Sequence, residues 1–221
     1  IRSNPKLYGG WGLYTDEGSS EIVFENNIVY NTETGGFHQH YGQNNIVRNN
    51  VLAFSRNAQV MRTLPEPGLS FTFERNIVFF NNGELLGDEW SDDHFAFDYN
   101  LYWDTSGRPL DFGGRTWAEW QAAGMDLHSI NLNPEFTNPD EANFTFGAGS
   151  PAHSIGITPI DASNIGLYGE AEWVDKPNAI VRDPFEAPDL SKINEDFETT
   201  APGSVVLNAG THGETNGASV R

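Results

Sequence analysis

The sequence predicts an all-β chain: a right-handed parallel β-helix with one short α-helix near residues 116–124, followed by a linker and the start of a β-sandwich. Three observations predict the β-helix. A segment recurs along the first half of the chain, apolar and polar residues alternate inside each copy, and every copy carries an asparagine at the same place. The copies read IVFENNIVYN from residue 22, NIVRNNVLAF from 45, FTFERNIVFF from 71 and FAFDYNLYWD from 95. Their asparagines, Asn27, Asn50, Asn76 and Asn100, stand 23, 26 and 24 residues apart, each before an apolar pair. Alternation such as Phe71-Thr72-Phe73-Glu74 has the period of a strand, not of a helix. Short strands repeating at this interval read as coils of a solenoid; an antiparallel sandwich with asparagine in its turns is the competing reading.

The asparagines have a physical role in such a stack. A side-chain amide both donates and accepts, so one column of them can bond from coil to coil, and asparagine tolerates the left-handed backbone of a sharp turn. A second strand precedes each copy: GWGLYTDEG, GFHQHYG, AQVMRTLPE and ELLGDEW. Stacked, these send Trp11, Phe37, Ala58 and Leu85 inward, and Tyr14, Asp16, His38, His40, Gln59, Arg62 and Asp88 outward. TWAEWQAAGMD (116–126) reads as a helix capped by Thr116, with Trp117 and Trp120 on one face and Gly124 to stop it. Residues 133–156 read as a last irregular coil. The β-helix is expected over 1–168 and a Pro- and Asp-rich linker over 169–194. A truncated start of a second β domain is expected over 195–221. The first residues open in mid-coil, so earlier coils are expected upstream of this chain.

Composition narrows the function. The chain has 221 residues, with 31 acidic against 12 basic side chains and a formal charge of -19. Phosphate binding needs clustered Lys and Arg, so neither nucleic acid nor an anionic membrane is an expected partner. No run of 18 apolar residues is long enough for a membrane span. With no cysteine, thiolate chemistry is excluded. Two histidines without a third nearby do not complete a zinc site, so no metal or cofactor is expected.

The outward column carries the chemistry: a carboxylate (Asp16), a phenol (Tyr14), two imidazoles (His38, His40), an amide (Gln59) and a guanidinium (Arg62). Trp11, Tyr14, Tyr41 and Trp90 suit the apolar faces of sugar rings. Each has a plainer reading. Asp16 and Glu17 are also turn residues before Gly18, Arg62 can clamp Glu66, and the histidines can be surface residues. Glu25 and Glu74 read as structural, and His94, His128, His153 and His212 receive no role.

The run from GGWGLYTDEGSS through GGFHQHYG to VLAF, with the later EWQAAGMDLHS and SPAHSIG, resembles bacterial parallel β-helix carbohydrate-active enzymes, and among them glycoside hydrolase family 141. That family includes α-L-fucosidase and xylanase activities. The resemblance spans residues 8 to about 168. It implies a secreted or periplasmic hydrolase of a fucose- or xylose-containing polysaccharide, with its active site on the helix flank. It places a catalytic aspartate at Asp16, with Glu17 the weaker candidate, a second acid upstream of this chain, and a β-sandwich after the helix. Tyr14, His38, His40, Tyr41, Gln59, Arg62 and Trp90 are the expected substrate contacts. A polysaccharide lyase and a non-catalytic glycan-binding β-helix are the alternatives, because fold alone does not decide function.

Overall fold

The structure, a computed structural model, describes residues 9–176. Three short strands make each coil. The first coil holds β1 (Leu13–Thr15), β2 (Val23–Glu25) and β3 (Ile28–Tyr30), and the second β4 (Phe37–Gln39), β5 (Asn45–Arg48) and β6 (Val51–Ala53). The third holds β7 (Ala58–Arg62), β8 (Phe71–Glu74) and β9 (Ile77–Phe80), and the fourth β10 (Glu84–Asp88), β11 (Ala96–Asp98) and β12 (Leu101–Asp104). Corresponding strands pair in parallel as β1-β4-β7-β10, β2-β5-β8-β11 and β3-β6-β9-β12. The chain is therefore a parallel β-helix of about four turns.

A two-residue turn joins the second and third strands of each coil. Its first residue is left-handed: φ is 59° at Asn26, 50° at Asn49, 53° at Arg75 and 57° at Tyr99. The strained position is thus the residue before the repeating asparagine, not that asparagine itself. This frees the repeating side chain to turn inward and build the ladder. Asn27 Nδ2 donates to Asn50 Oδ1 at 2.9 Å, Asn50 to Asn76 at 3.0 Å and Asn76 to Asn100 at 3.3 Å. The backbone N–H of each upper asparagine donates to the same lower oxygen at 2.9 Å. Asn50, Asn76 and Asn100 are buried, so each would cost about 1–3 kcal/mol if left unpaired.

Inside the coils Phe37, Phe71, Phe73 and Phe97 form a continuous column, with Phe73 stacked on Phe97 at 4.9 Å between ring centres. Below the fourth coil, α1 (Trp117–Ala122) closes the stack. Thr116 and Glu119 form its reciprocal cap, and Trp120 is fully buried. Gly124, at φ 93°, lies just past its end.

Residues 133–156 do not form another coil. Only β13 (Ile130–Asn131) extends the third sheet, beside β12. The chain then makes an antiparallel hairpin, β14 (Phe136–Asn138) with β15 (Asn143–Phe146). Phe144, Phe146, Ile155 and Ile157 pack on Val51, Ala53, Ile77, Phe79 and Leu101. The reason is legible in β9, Ile-Val-Phe-Phe: a strand apolar on both faces must be covered on both.

A separate unit begins at Gly166. As far as Lys176 it holds one short helix, α2 (Ala171–Val174), inside the stretch read as linker. The rest of that linker and the expected β domain at 195–221 lie outside the described residues. Among the described residues, no helix is long and apolar enough to cross a membrane. No group of three or more His, Asp or Glu among them could hold a metal ion.

Candidate functional site

Register in the first sheet decides which side chains meet. Leu13, Phe37, Val60 and Leu86 stand side by side, and next to them Tyr14, His38, Met61 and Gly87. The expected inward row of Trp11, Phe37, Ala58 and Leu85 is therefore displaced. Matching Gly9-Gly10 to Gly35-Gly36 puts Trp11 where Leu13 belongs. A shift of two residues keeps the same face, so Tyr14 still points outward beside His38. Trp11 lies outside the helix, stacked on Tyr14 at 4.3 Å and edge-on to His38 at 4.9 Å.

Beyond Thr15 the strand ends in a turn, with Ser19 N–H bonded to the Asp16 carbonyl and Gly18 at φ 69°. Strand alternation would force Asp16 and Glu17 to opposite faces; a turn does not. Tyr14 O–H donates to Asp16 Oδ1 at 2.9 Å. Partial loss of hydration and the neighbouring Glu17 carboxylate hold the Tyr41 phenol above its usual range. Glu66 and Asp16 push it the same way. His40 packs against the Tyr41 ring at 5.1 Å. Asp16, Glu17, Tyr14, His40 and Tyr41 are thus brought to one acidic, aromatic patch.

His38 lies beneath it, only 4% exposed. Its Nε2 is 2.5 Å from Thr63 Oγ1, and its buried Nδ1 has no hydrogen-bond partner among the described residues. Burial, reinforced by His40, lowers its pKa to about 4, so the ring is neutral at neutral pH. The unfolded chain takes up this proton near pH 6.5 and the folded chain only near pH 4. His38 therefore contributes stability that is complete above about pH 6.5 and lost as pH falls through 4, with an upper bound of about 3 kcal/mol. Replacing it with Gln should flatten the stability curve between pH 6.5 and 4, measured by urea unfolding at a series of pH values. An unchanged slope would mean that the ring is freely protonated.

Three expected substrate contacts point the other way. Gln59 is fully buried, donating to the Ser55 and Asn82 carbonyls and accepting from Ser55 N–H. Arg62 is also fully buried. It donates to the Glu89 carbonyl at 3.0 Å, to Ser70 Oγ at 3.2 Å and to Asp92 Oδ1 at 2.6 Å. Its ion partner is Asp92 rather than Glu66. Trp90 sits in the core with its indole N–H on the Gly87 carbonyl, and Arg62 lies 5.5 Å above its ring. The cause is register: Arg62 pairs with Gln39 on the inward face, where its charge must be bonded or expelled. Asp88, at the far edge of the sheet, lines a cleft of about 640 Å³ with Asp104 and Arg108. Burial and the neighbouring Glu89 raise its carboxyl above the usual range.

The alignment of asparagines missed one buried group. Asp126 takes the Asn100 amide at 3.0 Å, the Tyr102 hydroxyl at 2.9 Å, the Trp120 indole at 2.7 Å and the Ser129 hydroxyl. The signal was its position 26 residues after Asn100, one more ladder interval.

No family model, no curated protein and no solved structure matches this chain.

Proposed function

We propose that this chain belongs to a glycoside hydrolase acting on a complex polysaccharide, fucose- or xylose-containing, in line with its resemblance to glycoside hydrolase family 141. The supporting observation is a pair of carboxylates, Asp16 and Glu17, at one surface turn, with Asp16 bonded to Tyr14 and Glu17 next to Tyr41, beside the stacked Trp11 and Tyr14. Glycoside hydrolysis uses two carboxyl groups, about 5–5.5 Å apart for retention and about 6.5–9.5 Å for inversion. Asp16 is the leading catalytic carboxylate: Tyr14 fixes one of its oxygens and leaves the other for the sugar. Glu17 is the weaker partner. Trp11 and Tyr14 offer a ring face to the sugar, and His40 and Tyr41 offer hydrogen-bonding groups to its hydroxyls.

The burial of Arg62 favours hydrolysis over elimination. A lyase must neutralise a uronate carboxylate, and the patch carries Asp16, Glu17 and Glu66 while the guanidinium nearby in sequence is turned inward onto Asp92. An anionic sugar is repelled there. The test incubates the protein and its Asp16→Asn variant with fucose-, xylose- and uronate-containing polysaccharides, following reducing ends and near-ultraviolet absorbance together. New reducing ends without absorbance, reduced about 10²–10⁴-fold in the variant, are the expected outcome. Rising absorbance would make the protein a lyase. Binding without turnover, equal in both proteins, would make it a glycan-binding module.

A further inference from the structure

In the first sheet β10 forms the edge opposite β1. Residues 104–114 run past it, and between them and β10 opens the cleft of about 640 Å³ that Asp88 shares with Asp104 and Arg108. Small-ligand sites occupy about 300–1,000 Å³ and are largely formed before the ligand arrives. The outer wall here is formed in that way. Leu110 and Phe112 are buried in the core, and Phe112 and Arg115 close a turn through two backbone hydrogen bonds. Gly113, at φ 64°, approaches Trp90 so closely that a Cβ would stand 3.0 Å from the Trp90 Cβ.

One side chain of this wall is fixed at its base and open at its tip. Arg108 Nε donates to Asp104 Oδ2 at 2.8 Å and to Ser106 Oγ at 2.9 Å. The Asp104 side chain is only 4% exposed, and its other oxygen accepts from the Ser106 N–H and hydroxyl. The two terminal amino groups of Arg108 have no acceptor among the described residues, and the guanidinium lies 6.0 Å over the Phe80 ring. A donor fork is thus held in one orientation at the cleft. Acceptors share the same lining. Neither oxygen of Asp88 has a hydrogen-bond partner among the described residues, and Asp111 uses one oxygen, on the Gly114 N–H.

A ligand has to answer both the fork and the acceptors. The lining carries the carboxylates of Glu84, Asp88, Glu89, Asp104 and Asp111 against one guanidinium, so an anion is repelled although the fork would suit it. A cation suits the carboxylates and is opposed by the fork. A hydroxyl accepts from the one and donates to the other, and two adjacent hydroxyls match the two amino groups. Phe80, Leu86 and Pro109 line the same cleft and offer an apolar surface to the C–H face of a ring. We propose that this cleft is a second binding site, for a neutral sugar chain, held through adjacent hydroxyls between the Arg108 fork and the Asp88 carboxylate. Binding there requires neither Asp16 nor Glu17, which lie beyond the opposite edge strand.

Hydrogen–deuterium exchange over residues 105–116 tests this, with melting temperature on the same samples. Xylohexaose, cellohexaose and mannohexaose are the neutral probes, a galacturonate hexamer the anion and a glucosamine hexamer the cation. The amides of this segment should exchange about tenfold more slowly with a neutral probe and at an unchanged rate with either charged one. The protection should be equal in wild type and Asp16→Asn, so it stands or falls apart from cleavage at Asp16. Arg108→Lys keeps a charge beside Asp104 but loses the fork, and should weaken binding about tenfold or more. Ser91→Trp, at an exposed position in the lining, should block the cleft without touching that ion pair, and carries the test if Arg108→Lys proves unstable. Equal or stronger protection by a charged probe, or protection by no probe, would overturn the proposal. So would protection that survives either substitution at an unchanged melting temperature.

Discussion

Replacing Asp126 with Ala should lower stability by about 3–5 kcal/mol, read as the shift in urea midpoint at constant slope. The carboxylate receives four side-chain donors: the Asn100 amide, the Ser129 and Tyr102 hydroxyls and the Trp120 indole. Burial raises its carboxyl above the ordinary range while those donors pull the other way, and its presence pushes the buried Tyr102 phenol further up. Without it, the donors lose their common acceptor in a site closed to water, and the ladder loses its terminus. Asp126→Asn should fall between wild type and Ala, because one of its two oxygens becomes a donor facing a donor. A loss under about 1 kcal/mol in the alanine variant would mean that water replaces the carboxylate.

Arg62→Ala should cost about 3–5 kcal/mol without altering which glycan is bound. The guanidinium satisfies Glu89, Ser70 and Asp92 at once and lies between the rings of Trp90 and Phe95, 5.5 and 4.9 Å away. Although burial alone would raise the Asp92 carboxyl, the His94 N–H and Arg62 hold it below its usual range. Even Arg62→Lys should destabilise, since an ammonium cannot reach those acceptors in a fork. The discriminating readout is paired: melting temperature falls and glycan affinity holds. Weakened binding of anionic glycans at unchanged melting temperature would return Arg62 to the substrate.

The ladder and the buried arginine show why legibility differed between fold and site. Asn27, Asn50, Asn76 and Asn100 were readable because a solenoid repeats one local geometry, so identical turns demand identical residues at fixed intervals. Asp126 escaped because it continues the interval with a different side chain, a carboxylate that takes four donors where an asparagine amide would set its own donors against them. Tyr14, Asp16, His38 and His40 were placed on the outer face by alternation alone. Arg62 and Gln59 were sent outward by the same reading and are buried instead, because which face the polar residues of β7 take is set by register, which pairs Arg62 with Gln39. Trp90 looked like a sugar platform by type; only packing assigns it to Phe71, Phe95 and Phe97.

The amino-acid sequence alone determined the parallel β-helix, its asparagine column, the capped helix at Thr116 and a strongly acidic net charge. Each of these depends on interactions between near neighbours or on a repeat of them. Only the tertiary structure decided that the hairpin after Pro134 seals the third sheet. It also decided that the one guanidinium of the expected column is buried, and that Asp16 and Glu17 share a turn beside Tyr14 and Tyr41. Those outcomes depend on strand register and on what covers each face, and a slip of a single residue exchanges inside for outside.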